Sequence, residues 1–318
     1  AGMTALTPDA LAGAVAEEAA AGLGGALDPA SLAWIARPGG KSAVEDATFA
    51  VTVDGHQARD DAVILISNRD FPGMVAEAVE KIETASAAVS PATAARLHRP
   101  TLTGQVDGCS YAVFARLRPL LEGRILRRAE TFVLAPHVVD WLVALAKDSR
   151  THLDPDAVHD RFAAPLEHLA ADPPLAPEIR QTARRFRARI EDAALFSAVE
   201  HGDFWSGNVL LEPDGPRFST ARQGGFRVID WGGSTINGSP FVDLTRYLMS
   251  THRPKSRRPR HYIEQYRTAL GVAPEDVALY GLAALGRIGL NLNAFPKPRY
   301  LLLVERVFRF YQSNGYLE

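Results

Sequence analysis

Residues 7–27 form an Ala-rich run with Pro8 and Asp9 at its front, which predicts a helix that serves as a packing or lid segment. Three runs that favour strands come next, at 32–36, 48–53 and 62–67, separated by Pro38-Gly39-Gly40 and Asp54-Gly55. The alternation through 48–53 ends at Asp-Gly, a hairpin signal, so a small antiparallel sheet is expected. Residues 74–88 then set Met74, Val75, Ala78, Val79 and Ile82 on one helical stripe, with Glu77, Glu80, Lys81 and Glu83 opposite. Two further strands, around 100–103 and 111–117, bring the expected sheet to five strands with one helix inserted.

After Arg118-Pro119 the pattern changes. Helical periodicity dominates at 131–147, 155–169, 177–196, 260–270, 274–292 and 300–311, with Asp172 and Pro173-Pro174 as breakers. One stretch interrupts it. Val209-Leu210-Leu211 and residues 226–229 are short apolar runs about the turn residues Pro213-Asp214-Gly215, a hairpin set among helices. The expected class is α+β in two lobes. Residues 1–117 would form a small antiparallel lobe preceded by a helical segment, and residues 118–318 a larger, mainly helical lobe.

Composition narrows the function. With 318 residues, two lobes are a better expectation than one compact unit. Apolar residues at 47% and charged residues at 23% exclude wholesale disorder, collagen and a coiled coil. The 35 Lys and Arg against 37 Asp and Glu leave a net charge of −2, which gives no reason to expect a polyanion partner. Two basic clusters, Arg253 with Lys255, Arg257, Arg258 and Arg260, and Arg180 with Arg184, Arg185, Arg187 and Arg189, read as solvated faces. They have no aromatic platform or nucleic-acid module, so no nucleic-acid partner is expected. Cys109 stands alone and suits a reducing cytosol. No run approaches the roughly 20 apolar residues of a membrane span, and the start lacks a basic n-region. A cytoplasmic protein without a membrane partner is expected.

The candidate chemistry lies in Glu200-His201-Gly202-Asp203-Phe204-Trp205-Ser206-Gly207-Asn208, where a carboxylate and an amide sit on one loop. The apolar Val209-Leu210-Leu211 comes directly after it, and a later strand ends in Val228-Ile229-Asp230-Trp231-Gly232, presenting a second carboxylate at a turn. Phosphoryl transfer needs such a set. A loop Asp can orient an attacking hydroxyl and take its proton, and Mg²⁺ prefers hard oxygens such as those of Asp and Asn. Asp203 is therefore the candidate base, and Asn208 and Asp230 are candidate metal ligands.

The spacing His-x-Asp-x-x-x-x-Asn with a later strand-ending Asp is that of a kinase catalytic loop. His201-Gly202-Asp203 to Asn208, then Ile229-Asp230-Trp231, resembles the aminoglycoside phosphotransferase and choline kinase family of the protein-kinase-like fold. The resemblance implies an ATP- and Mg-dependent phosphotransferase acting on a hydroxyl of a small molecule such as an antibiotic, amino alcohol or sugar. It assigns His201 to support of the loop rather than proton transfer. It places ATP beneath the turn at Gly39, Gly40, Lys41 and Ser42, although Ile35 stands where a Walker-type loop needs glycine. The adenine hinge would be backbone at Ala115 to Leu117, with Phe114 against the base. The family's third-strand Lys is missing from 62–67. Arg69 or Lys41 would supply that charge, with Glu77 ahead of Glu80 as helix partner. That gap motivates the alternative of a catalytically inactive, kinase-like nucleotide-binding or scaffold protein. Trp205 and Trp231 are expected to pack in the core or on the loop rather than stack on substrate, and Asp243 to cap the helix that follows it and brace the catalytic loop.

Overall fold

A computed structural model describes residues 6–37, 47–214, 216–252, 256–292 and 295–317. Its strands are β1 (Ala33–Ala36), β2 (Thr48–Val53), β3 (Ala62–Ser67), β4 (Leu102–Val106), β5 (Cys109–Ala115), β6 (Thr151–His152), β7 (Phe196–Glu200), β8 (Val209–Leu211), β9 (Phe226–Val228) and β10 (Thr235–Gly238). Its helices are α1 (Pro8–Gly22), α2 (Met74–Ala87), α3 (Pro91–Ala94), α4 (Arg124–Asp148), α5 (Pro155–Val158), α6 (Ala164–Ala171), α7 (Pro177–Arg189), α8 (Arg217–Arg222), α9 (Val242–Thr251), α10 (Arg258–Leu270), α11 (Val277–Leu290) and α12 (Lys297–Ser313). The chain divides into two units. One comprises Ala1–Thr84, Ala95–Leu120 and Val209–Gly232; the other comprises Ala85–Ala94, Leu121–Asn208 and Gly233–Glu318. The 209–232 hairpin thus groups with the sheet, although in sequence it lies among the helices.

In the sheet unit five antiparallel strands run in the order β1-β2-β3-β5-β4. The strands at 48–53 and 62–67 appear as predicted. The alternation of β2 explains why: Phe49, Val51 and Val53 point into the core and their neighbours out. Leu11, Val15, Ala16 and Ala19 of α1 pack on that face with Ile64, Ile66, Tyr111 and Val113, so α1 is a core element. The two-residue hairpin turn is Asp107-Gly108, with positive φ at both, joining β4 and β5. Asp54-Gly55 instead opens a longer loop containing a 3₁₀ turn at Ala58–Asp60. A buried pair of hydroxyls anchors α2: Ser67 Oγ lies 2.8 Å from Ser110 Oγ, and they accept the Val75 and Ala76 N–H groups at 2.9 and 3.1 Å. β8 pairs with β9 in register Val209↔Val228, and Leu97 bridges to Val228.

The helical unit is built around β7, the middle strand of β10-β7-β6. All five residues of β7 are buried. It therefore has no period-two alternation, and the helix expected through 177–196 runs across its first residue; the helix ends at Arg189 and Phe196 begins the strand. Phe196, Phe241, Tyr266 and Tyr280 form an aromatic cluster with centroids 5.2 to 5.6 Å apart. The single helix expected at 155–169 is interrupted by a π turn, His159–Ala163. α4 begins at Arg124, earlier than its periodicity suggests. Among the described residues it has the length and apolarity of a membrane span, and 56% of that window is buried within the protein.

Candidate active site

β7 delivers the chain to the loop at His201, whose backbone is fixed by an acid and an arginine of α9. Asp243 does not cap α9, whose N-cap is Phe241; from the first turn it accepts the His201 N–H at 2.6 Å and the Gly202 N–H at 3.0 Å and so braces the loop. Gly202 turns there at φ 84, a conformation that disfavours any side chain. Burial and the nearby Glu200 charge push the Asp243 carboxyl well above its ordinary range, against the two backbone N–H bonds that favour its ionised form. Arg246, one helical turn along α9, donates to the Gly202 carbonyl at 2.6 Å and is ion-paired with Asp203 Oδ1. The Asp203 side chain remains 51% exposed, open to an incoming hydroxyl.

His201 is fully buried, and its Nδ1 accepts the Asp203 N–H at 3.3 Å while its ring meets Phe204 edge-on. An acceptor at Nδ1 cannot also hold a proton there. Asn208 donates Nδ2 to the Asp203 carbonyl at 2.9 Å, which leaves its Oδ1 as a hard oxygen donor. Asp203, His201 and Asn208 are thus brought together on one loop. Trp231 is buried, with its Nε1 on the Val228 carbonyl at 3.0 Å. Trp205 is partly exposed and packs its ring against Gly207 of the same loop rather than in the core.

Asp230 belongs to the sheet unit. It is exposed just past β9, and its φ of 63 is a left-handed conformation shared among described non-glycine residues by Asp107. Such conformations cost about 1–3 kcal/mol and concentrate at functional sites. Two residues on, the Gly232 carbonyl accepts Lys81 Nζ of α2 at 2.5 Å. Among the described residues no three His, Cys, Asp or Glu cluster as a metal cage. The Asn208 amide oxygen and the Asp230 carboxylate, each on its own unit, are hard oxygens of the type that magnesium prefers.

The remaining nucleotide candidates lie in the sheet unit or outside the described residues. Gly39, Gly40, Lys41 and Ser42 fall in the latter group. Arg69 is ion-paired with Asp107 and donates to the Leu6 carbonyl at 3.2 Å, so its charge is already engaged. Glu77 is exposed on the first turn of α2. Phe114 is buried and its ring meets that of His98 at 5.4 Å. His98 Nε2 lies 2.9 Å from the Ala115 carbonyl. Burial drives the His98 pKa down to about 4 despite that bond, so the ring is neutral at pH 7 and donates its proton to Ala115. The Ala115 carbonyl is therefore occupied, whereas Leu117 makes no backbone hydrogen bond among the described residues.

Sequence reasoning missed three residues. Arg246 sits three positions after Asp243 on one helix face, a spacing that could have identified it. Lys81 carries a weaker signal, four positions after Glu77. His98 has none, since only the fold carries it to Ala115.

A model of the phosphotransferase enzyme family matches residues 42–280. Among curated proteins none matches the chain in sequence. Among the solved structures that share its fold are two phosphotransferases. A thermostable mutant of aminoglycoside phosphotransferase APH(4)-Ia is 14% identical, with TM-score 0.53 over 94% of this chain and 98% of that one. Macrolide 2'-phosphotransferase type I is 15% identical, with TM-score 0.52 over 95% and 97%. The antiparallel sheet and the helical unit are those of the α+β protein-kinase-like fold.

Proposed function

Because the chain belongs to the phosphotransferase enzyme family, we propose that it transfers the γ-phosphate of ATP, with magnesium, to a hydroxyl of a small molecule. The observation that carries this proposal is the braced loop, on which Arg246 holds the Asp203 carboxylate and the Asp203 carbonyl holds Asn208. The Asp203 oxygen not engaged by Arg246 receives the acceptor O–H and takes its proton as the acceptor oxygen bonds to phosphorus and the bond to ADP breaks. Arg246 keeps that carboxylate aimed. His201 and Asp243 fix the backbone on which it stands. Asn208 and Asp230 would hold the magnesium, which supplies charge neutralisation at the phosphates.

The acceptors named for the fold relatives, an aminoglycoside and a macrolide, are starting points for this chain, as are amino alcohols and sugars. The test is a panel of such alcohols assayed for ADP release with Mg-ATP. Release that depends on one acceptor class and disappears in Asp203→Ala is the expected result. Arg69, tied to Asp107, favours one competing reading, a nucleotide-binding protein without turnover. It takes precedence if Mg-ATP binds while every acceptor leaves ADP at background.

A further inference from the structure

Phosphoryl transfer leaves one face of the helical unit without a task. Residues 124–129, the opening turns of α4, are all exposed, whereas from Glu130 onward the helix enters the core with Leu134, Val138 and Leu142. Ile125 is 83% exposed, Leu126 52% and Phe132 50%. Positions 125, 129 and 132 share one side of the helix with 126 at its edge, so an apolar stripe meets water. Scattered single hydrophobics on a surface need no explanation, but three large ones within one short stretch, rimmed by charge, mark an interaction site.

Arginines form the rim. Arg258 of α10 lays its guanidinium 4.0 Å from the centroid of the Phe132 ring, and further along Gln265 Nε2 donates to Asp140 Oδ1 at 2.7 Å. The two helices therefore run side by side in one sense, and Arg257 and Arg258 gather at the same end as Arg124, Arg127 and Arg128. Burial holds the His252 pKa below its ordinary value, and the charges of Arg258 and Arg128 act on it in the same direction, which places these two arginines about one ring. None of the five makes an ion pair among the described residues. Of the acids near them in sequence, Glu130 is buried and accepts the Leu121 N–H at 2.7 Å, and Glu264 is paired with Arg267, which leaves the exposed Glu122. Neither helix has an acid in its first turn, although a helix start favours acids and disfavours cations. The arginines thus stand where local helix stability is against them.

A second copy of the chain fits this face poorly, because a symmetric contact would set the arginines against their own kind. A folded protein partner needs a complementary patch of about 800 Å², broader than a few helical turns offer. A lipid layer needs no matching shape: it takes in apolar side chains, and its phosphates meet guanidinium groups whose long stems lie along the apolar surface. We propose that this face of α4 and α10 docks on an anionic lipid surface, with Ile125, Leu126 and Phe132 entering the boundary between headgroups and acyl chains and the five arginines meeting lipid phosphates. The net charge of −2 over the whole chain conceals such a face, because the arginines are gathered at one end of a single unit. The proposal does not depend on the kinase reading.

The test is co-sedimentation of the full chain with phosphatidylcholine vesicles, with and without phosphatidylglycerol. Binding is expected to the anionic vesicles and to weaken as salt rises. Ile125→Ser with Leu126→Ser should weaken it about tenfold, and Arg127→Gln with Arg128→Gln about tenfold at low salt. All four positions are exposed, so the substitutions leave the core untouched. Binding no stronger to anionic than to neutral vesicles overturns the proposal. So does anionic-vesicle binding that either pair of substitutions leaves unchanged, which keeps the test decisive should one pair fail to fold. Binding to soluble polyglutamate with none to vesicles also overturns it and gives the face to an acidic protein.

Discussion

The catalytic loop of the helical unit and the strand ends of the sheet unit carry the two halves of the proposed chemistry, and they are held in opposite ways. On the loop the reactive groups are braced by neighbouring side chains. Asp243 takes two successive N–H groups, Arg246 takes a carbonyl and the Asp203 carboxylate, and Asn208 is tied to the Asp203 carbonyl. In the sheet unit the corresponding groups are engaged elsewhere: Arg69 with Asp107, the Ala115 carbonyl with His98. The contrast separates two tasks. On the proposed reading, proton transfer and aim would be preorganised in side chains, which is where electrostatic preorganisation gives most, while nucleotide contact would be left to backbone and to a cation outside the usual strand.

The largest effect should come from the loop. Asp203→Asn is expected to lower kcat by about 10³-fold, in the range for a general base, with the Mg-ATP dissociation constant within about twofold of wild type. Steady-state ADP release and calorimetry measure the two quantities. An unchanged kcat would place the base elsewhere and remove the contrast. Arg246→Gln should lower kcat by about tenfold and leave KM in place, because it aims the base without touching nucleotide. A rise in KM alone would mean that Arg246 contacts the acceptor.

Next comes the framework behind the loop. Glu200→Gln leaves the Arg287 guanidinium without its counter-charge and should destabilise the helical unit by about 3 kcal/mol, read from chemical denaturation. The side chain of Glu200 is 8% exposed and that of Arg287 29%, so solvent screens little of this loss. A pH effect accompanies it. The Asp243 pKa is raised from 3.8 to about 7, first by burial and then by Glu200. Between those values the folded state binds the proton more tightly than the unfolded state, so this contribution to stability is complete at acid pH and is lost as pH rises through 7. The denaturation midpoint should therefore fall between pH 5 and 8, and fall less in Asp243→Asn. A midpoint that climbs over that interval would assign the proton to another group.

The same physics decides how much of this is readable in the residues. The strands at 48–53 and 62–67 and the helix at 74–88 carry their periodicity openly, because each has one buried and one wet face. The loop motif is legible because its chemistry requires fixed residue types at fixed spacing. β7 is not legible: a strand buried on every side looks like any apolar run. Nor is the π turn at His159–Ala163, which leaves helical residue preferences intact. His98 and Lys81 acquire their roles only from contacts more than a dozen residues away in sequence, at Ala115 and Gly232.

Lys81 gives the finest test of the comparison. Its ammonium reaches the Gly232 carbonyl, on the segment that turns at Asp230, and both belong to the sheet unit. A compact charge on a flexible stem can leave one carbonyl for a phosphate oxygen at little cost, whereas Arg69 would have to break an ion pair and a bond to Leu6. Lys81→Ala should therefore weaken Mg-ATP binding by about fivefold, an effect that shrinks as salt rises, and Arg69→Ala by less than twofold. The reverse order would return the phosphate charge to the end of β3. Equal and negligible effects would leave Lys41 as the cation and put the nucleotide's main contacts on the glycine turn.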